Sequence, residues 1–377
     1  MRLYVLGGGQ LALMMCWESQ RIPVEFVVYD EGSEAPAYRC ARRASDPMGE
    51  VDRADVVTFE FENVDISIAE YAERSGKLKP PLPYLKIKKS RLEERSFFQS
   101  LGVPTIPWRR AVGWEEAFKI AEKWGRAYSK VPAGGYDGKG QYIYPREAEK
   151  LVGYKGELLV EEYVDIKREF SLVAVRSEDG DVYFYPPAEN YYVHGILAWN
   201  YAPTSVPEVA YDIVYKILEW GRYVGVIAVE FFESRSGEIY VNEIAPRVHN
   251  TGHWTLETDA SQFENHVRAV LGLGIRRPRA VPPTAMVNIL GVDLGKLPWR
   301  ELERLGRVYW YYKAEARPRR KMGHVNIAGS SVGEVVERAR EALRLIYGRD
   351  FPRLVMRELS PAQPRPVLYL TSGGTPR

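Results

Sequence analysis

The chain has 377 residues, more than one ordinary hydrophobic core accommodates, so two or three packed units are expected and a lone small module is excluded. With 45% hydrophobic and 27% charged residues it can bury sizeable cores, and neither a disordered nor a fibrous composition fits. Fifty-two Lys and Arg against 50 Asp and Glu leave a formal charge of +2, so no chain-wide field draws it to nucleic acid or a membrane, and neither is expected as a partner.

Cys16 and Cys40 offer no metal-ligand spacing and no framework of bridges, which suits a reducing cytoplasm and leaves a single bridge open. The apolar stretch after Arg2 superficially resembles a secretory signal. Gly7, Gly8, Gly9 and Gln10 break it, no small-residue cleavage site follows, and no run reaches the roughly 18 apolar residues of a membrane span. It reads instead as a first strand.

Residues 3–6 form a short apolar run closed by three glycines, residues 10–19 suit a helix, and residues 24–29 are β-rich and end at Asp30. A third run, 56–59, leads into Glu60 and Glu62, and 66–74 reads as another helix, so the first 75 positions predict a parallel α/β unit. The Pro- and Lys-rich residues 77–83 mark a boundary. Ser90 with Glu93 then opens a helix as a capping box, and Gly102 ends it. From 127 to 244 strand-like runs prevail, at 127–130, 157–164, 170–176 and 182–185. Their connections are too short for crossover helices, which predicts antiparallel pairing. Ala210, Ile213, Val214, Ile217, Gly221 and Val224 mark a helix with one buried face, and 226–232 with 239–244 form a hairpin. A helix at 261–271, a basic Pro-rich link at 276–283, a strand at 285–290 and a helix at 332–345 complete the chain.

Gly7, Gly9 and Ala12 fit a dinucleotide fingerprint, with Asp30 where a ribose-binding acid belongs; the same turn serves any anion at a helix N-terminus, or none. A second phosphate-binding candidate runs from Lys130 through Gly134, Gly135, Tyr136, Asp137, Gly138, Lys139, Gly140 and Gln141. Its glycine amides can wrap phosphate oxygens while the lysines supply charge; the alternative is a mobile hairpin loop. Glu161, Glu162, Tyr163 and Val164, with Glu169 beyond, can serve an adenine and a ribose or stand as solvated strand-end acids.

Glu230 and Glu243 each follow an apolar run, and the short turn between their strands brings them side by side. Two such carboxylates repel each other. A divalent cation relieves that repulsion, and oxygen-only ligation favours magnesium completed by phosphates, whereas neighbouring arginines are the structural alternative. Arg247, His249, Asn250, Thr251 and His253 then read as a substrate-recognition loop. Lys313, Arg317, Arg319, Arg320 and Lys321 suit one phosphorylated small molecule better than a polynucleotide.

In order along the chain, GGGQLALMM from Gly7, FEFENVD from Phe59, SKVPAGGYDGKGQ from Ser129, VNEIAPRVHNTGHWT from Val241, SQFENHVRAVLG from Ser261 and RRKMGHV from Arg319 resemble the N5-carboxyaminoimidazole ribonucleotide synthetases, ATP-grasp enzymes of purine biosynthesis. The resemblance spans nearly the whole chain. It implies an α/β and α+β architecture: an N-terminal Rossmann-like pre-ATP-grasp domain (1–88), an ATP-grasp domain (89–276) and a small C-terminal domain (277–377).

Carried over position by position, it implies ATP contacts at Arg91, Lys130, Gly135, Tyr136, Asp137, Gly138, Lys139, Gly140, Gln141, Glu161, Glu162, Tyr163, Val164, Glu169, Asn242 and Glu243, with magnesium on Glu230 and Glu243. Aminoimidazole ribonucleotide falls to Glu62, Tyr136, Arg247, His249, Asn250 and Thr251, its phosphate to Lys313 and Arg320, with Gly8–Gln10 as a further contact. Asp137, Lys139 and Arg247 are the catalytic candidates, Asp137 for steering protons. The implied reaction is carboxylation by bicarbonate through carboxyphosphate in a cytoplasmic homodimer.

The chain departs from the family where Tyr192 replaces a frequent His, where Pro132 and Ala133 replace basic residues, and where Ser90 replaces Asp. His194 stands near Tyr192 in sequence and can substitute for it. Rival readings are a formate-using transformylase of the same fold, an NAD-binding oxidoreductase and a non-catalytic nucleotide-binding regulator.

Overall fold

The structure is a computed structural model that describes residues 1–133 and 140–348 and the backbone of 369–370. Parallel strands Arg2–Leu6, Glu25–Tyr29, Arg42–Arg43 and Val56–Phe59 form the first sheet, with Arg2–Leu6 between Glu25–Tyr29 and Val56–Phe59. Their apolar runs lack alternation because helices cover both faces. Helix Gln10–Glu18 buries Leu11 through Cys16, and Cys16 is bridged to Cys40 across 24 positions. The bridge left open by the sequence is therefore formed. By chain entropy a loop of that size is worth about 3.5 kcal/mol.

Helix Arg91–Ser100 starts as its capping box predicts, the Glu93 amide donating to Ser90 Oγ at 3.5 Å. Gly102 lies just beyond its end at a φ of +60°. A small antiparallel sheet follows, ordered Trp108–Val112, Glu157–Glu162, Ala127–Lys130, Gln141–Tyr144, with helix Gly113–Trp124 packed on it. The predicted strand at 157–164 thus ends at Glu162.

The central sheet has ten strands. Its main path runs Ile239–Ala245, Gly225–Ser234, Ile166–Arg176, Ala188–Val193, Ile196–Ala202, Thr284–Leu290, Lys321–Ala328, Arg307–Trp310, and its pairs are antiparallel as expected. The strand expected from 170 begins at Ile166, and the helix expected through Val224 is Val209–Trp220, closed by Gly221. The C-terminal segment is not a separate layer: its strands extend this sheet, and helix Val332–Tyr347 covers them. No helix among the described residues is long and apolar enough to cross a membrane.

His266, on helix Gln262–Val270, ties the first sheet to the central one. Its Nδ1 accepts the Val226 amide at 3.0 Å, so Nε2 carries the proton and donates to Thr58 Oγ1 at 2.9 Å. Gly225 is required beneath it, since a Cβ there would lie 3.0 Å from the ring at a φ of +119°. Burial pushes the imidazole down to about 3. The unfolded chain takes up this proton below about pH 6.5 while the folded chain does not. The stabilisation is full above that value and falls with pH toward 3, by about 1.4 kcal/mol per unit. Calorimetry between pH 7 and pH 5 should show a melting temperature that drops on acidification, with a shallower slope for His266→Gln.

Candidate active site

Glu230 and Glu243 face each other across the hairpin of Gly225–Ser234 and Ile239–Ala245. The register shifts just after this pair, leaving Asn242 as the extra residue of a bulge. Burial, then the charge of Glu243, pushes Glu230 up to about 8. Burial acts on Glu243 in the same sense, but the Lys88 ammonium 2.6 Å from its Oε2 outweighs that and holds the carboxyl well below the usual range. The predicted juxtaposition is present, and the cation beside it is a lysine rather than the arginine considered as an alternative.

Lys88 ends helix Leu82–Lys88 and also reaches Glu94 at 3.2 Å. Glu94 Oε1 accepts the Ile244 amide at 2.9 Å, fixing helix Arg91–Ser100 against the carboxylate strand. Arg95, from the same helix, donates to Asn242 O at 2.6 Å and to Glu161 Oε1 at 2.7 Å. Glu161 is buried, and Arg95 and Lys130 hold it ionised against that burial, at about 2. The Glu161 carboxylate, expected on a ribose, is thus engaged inside the protein, as is the Lys130 ammonium. Sequence reading passed over Lys88, Glu94 and Arg95. The available signal was Glu94 and Arg95 falling on the buried side marked by Leu92, Phe97 and Phe98.

Arg91 donates to Val131 O at 2.7 Å, and its own amide to Pro132 O at 2.9 Å, bracing the start of the glycine-rich loop. At the loop's far end Gly140 has a φ of +67° and Gln141 pairs with Lys130. Gly135, Tyr136, Asp137, Gly138 and Lys139 lie outside the described residues. Glu162 and Tyr163 donate their amides to Pro107 O and Arg126 O, and Val164 follows them in the turn. The Arg126 guanidinium lies 3.6 Å over the Tyr163 ring. Glu169 is registered between Phe232 and Asn190 in the central sheet.

After the hairpin, Arg247 pairs with Glu62 at 2.7 Å. His249 Nδ1 accepts the Thr251 amide at 3.4 Å and lies 2.9 Å from the Thr251 hydroxyl, which places the ring proton on Nε2. Burial, then the Arg247 charge, keeps this imidazole neutral. Three side chains from separate elements hold the loop's backbone. Gln262 brackets His249, accepting its amide at 3.0 Å and donating to its carbonyl at 2.6 Å; Asn200 donates to Thr251 O at 2.8 Å and Asn326 to His253 O at 2.9 Å. Both amide atoms of buried Asn250 and the Nε of Arg247 have no hydrogen-bond partner among the described residues. Unpaired buried polar atoms on a clamped loop are what a polar ligand would satisfy.

Tyr192 takes the place of the missing histidine. It is half-buried, its hydroxyl buried toward Glu230 but without a well-formed hydrogen bond, whereas His194 sits exposed in the following turn. Of the basic run, Arg320 donates to Glu315 O at 2.8 Å, and Lys313 lies with its ammonium 5.7 Å from the Tyr311 ring centre. Lys321 opens the strand Lys321–Ala328, and its charge bears on both His249 and His253.

The N-terminal glycine turn is occupied by its own acids. Asp30 accepts the Gly8 amide and Glu60 the Gly9 amide, each at 2.8 Å. A Cβ at Gly9 would lie 2.6 Å from Glu60 Oε1. The acid expected on an NAD ribose and the amides expected on a phosphate therefore bond to each other.

Among the described residues no group of three or more His, Cys, Asp and Glu is gathered for a metal ion. Two adjacent carboxylates, Glu230 buried and Glu243 partly exposed, with an attendant cation nevertheless fit magnesium, which uses one or two carboxylates and completes its shell with phosphate and water.

Residues 1–89 match the ribonucleotide synthetase preATP-grasp domain, 96–263 the ATP-grasp domain and 284–338 the phosphoribosylaminoimidazole carboxylase C-terminal domain. The chain is 42% identical over 355 residues to the N5-carboxyaminoimidazole ribonucleotide synthase of Saccharolobus solfataricus, covering 92% of this chain and 96% of that one. The crystal structure of the Thermus thermophilus synthetase superposes with a TM-score of 0.81 at 36% identity, over 92% and 98% of the two chains. That of the Aspergillus clavatus synthase, complexed with ADP and 5-aminoimidazole ribonucleotide, gives 0.80 at 26% identity, over 92% and 98%. The chain belongs to the N5-carboxyaminoimidazole ribonucleotide synthase family of ATP-grasp enzymes.

Proposed function

We propose that the chain divides the work of its family's reaction, the ATP-dependent carboxylation of 5-aminoimidazole ribonucleotide, among the residues that converge on the Glu230 and Glu243 pair. That pair carries the reading: two acids side by side across a hairpin, linked through Arg95 and Glu161 to the strand that carries Lys130, and followed by a clamped polar loop.

A bicarbonate oxygen attacks the γ-phosphorus of ATP, ADP leaves, and carboxyphosphate forms. It breaks down to carbon dioxide and phosphate, and the exocyclic amine of the ribonucleotide bonds to the carbon and loses a proton. Magnesium held by Glu230 and Glu243 supplies neutralisation of charge on the phosphates. Arg91 and Lys130 position the triphosphate, and Lys139 adds charge from the loop. The strand end at Glu161 to Val164, with Glu169 and Asn242, serves the nucleoside of ATP, Glu161 through its backbone since its carboxylate is engaged.

Arg247, His249 through its Nε2 proton, Asn250 and Thr251 orient the ribonucleotide with Glu62 and Tyr136, while Lys313 and Arg320 take its phosphate. Asp137 steers the amine proton. The same reading has domain borders near 88 and 276, a homodimer suggested by family resemblance, and a cytoplasmic location.

ADP release from magnesium-ATP and bicarbonate should rise on adding the ribonucleotide, and labelled bicarbonate should appear in the product. Incorporation of labelled formate as a formyl group instead, or no ADP despite bound ATP, would overturn the reading. Glu243→Ala should lower turnover by about a thousandfold or more while far-UV circular dichroism stays unchanged. Gln262→Ala, which frees the His249 backbone, should raise KM for the ribonucleotide about tenfold with little change in KM for ATP.

A further inference from the structure

The cation beside Glu243 belongs to the protein. Lys88 Nζ lies 2.6 Å from Glu243 Oε2 and 3.2 Å from Glu94 Oε1, and its side chain is 14% exposed. Glu94 and Glu230 are buried and Glu243 is partly exposed, its side chain 43% accessible, so one ammonium sits among three carboxyl groups. Magnesium binds carboxylate oxygens at about 2.0–2.1 Å in a demanding octahedral shell. An ammonium on the same oxygen would crowd that shell and repel the ion across a few ångströms in a poorly screened setting.

We propose that Lys88 is a tethered cation holding the magnesium position of the nucleotide-free enzyme, so that the metal enters together with ATP rather than alone. The proposal rests on the reading that Glu230 and Glu243 hold the metal. ATP brings the negative charge that makes a second cation tolerable. Glu94, tied to the Ile244 amide, remains as an anchor for the ammonium when it leaves Glu243. Lys88 is then a positioning residue that spares the empty site an uncompensated cluster of acids and makes metal uptake depend on nucleotide.

The test is titration of the full chain with manganese(II) alone, the free ion read by electron paramagnetic resonance, in wild type, Lys88→Met, Lys88→Arg and Glu243→Gln, then repeated with ATP. Lys88→Met should bind manganese without nucleotide at least about tenfold more tightly than wild type, and Lys88→Arg, which keeps the charge, should not. In chelator Lys88→Met should melt below wild type and recover on adding manganese or magnesium. If it is unfolded in chelator, folding on addition of metal alone gives the same support, and failure of metal to restore it counts against the proposal. Equal manganese affinity in wild type and Lys88→Met, with manganese-ATP binding lost in Glu243→Gln, overturns the role of Lys88 alone. Retention of manganese-ATP binding by Glu243→Gln overturns the metal reading, and the proposal with it.

Discussion

Two carboxylates side by side on neighbouring strands, Glu230 buried and Glu243 partly exposed, are the constraint around which the ATP-grasp region is organised. Such a pair cannot remain doubly ionised without a cation, and the fold spends two helices on providing one. Helix Leu82–Lys88 ends on the ammonium, and helix Arg91–Ser100 brings Glu94, Arg95 and Arg91 to the same place. The result interleaves Glu94, Glu161, Glu230 and Glu243 with Lys88, Arg91, Arg95 and Lys130. Breaking one buried link in such a set typically costs about 3–5 kcal/mol, because the abandoned charge has nowhere to go. The arrangement is therefore stiff in position and variable only in which cation faces which acid.

That distinction explains what was legible in the sequence. Glu230 and Glu243 could be found because local chemistry determines them: each closes an apolar run, and a short turn fixes the register between the runs. The parallel first sheet and the capping box at Ser90 were legible for the same reason. Lys88 meets Glu243 across 155 positions, and no periodicity within either segment announces the meeting. Glu161 shows the converse. Its place at a strand end was readable, but the two cations that claim its carboxylate come from a different helix and a neighbouring strand, so its side chain was assigned to a ligand that it does not face freely. The short strands beyond Arg307 were unread because they complete a sheet begun far upstream rather than a local unit.

The polar loop after the hairpin obeys a related rule. Its backbone is held by Gln262, Asn200 and Asn326, from a helix and from two strands of the continuous central sheet, one of them in the C-terminal segment. Fixing the main chain from outside leaves the Asn250 amide and Arg247 Nε without partners among the described residues. Their buried hydrogen-bonding capacity is preserved for a ligand instead of being consumed by the fold. The C-terminal strands thus matter to the site through the loop they hold as well as through the basic run they carry.

The glycine turn and the carboxylate hairpin apply one principle with opposite signs. At the turn, amides suited to an anion receive Asp30 and Glu60; at the hairpin, acids suited to a cation receive Lys88. The two differ in depth of commitment. The close approach of Glu60 to Gly7 and Gly9 leaves no room for even a Cβ, so that acid is built into the turn. Lys88 ends a helix on a long flexible stem, with a second acid beside the first, so its hold on Glu243 can be exchanged without remaking the backbone. A sequence motif that looks ready for an anion can therefore be a closed structural joint, while a saturated ion pair can mark the place where a ligand enters.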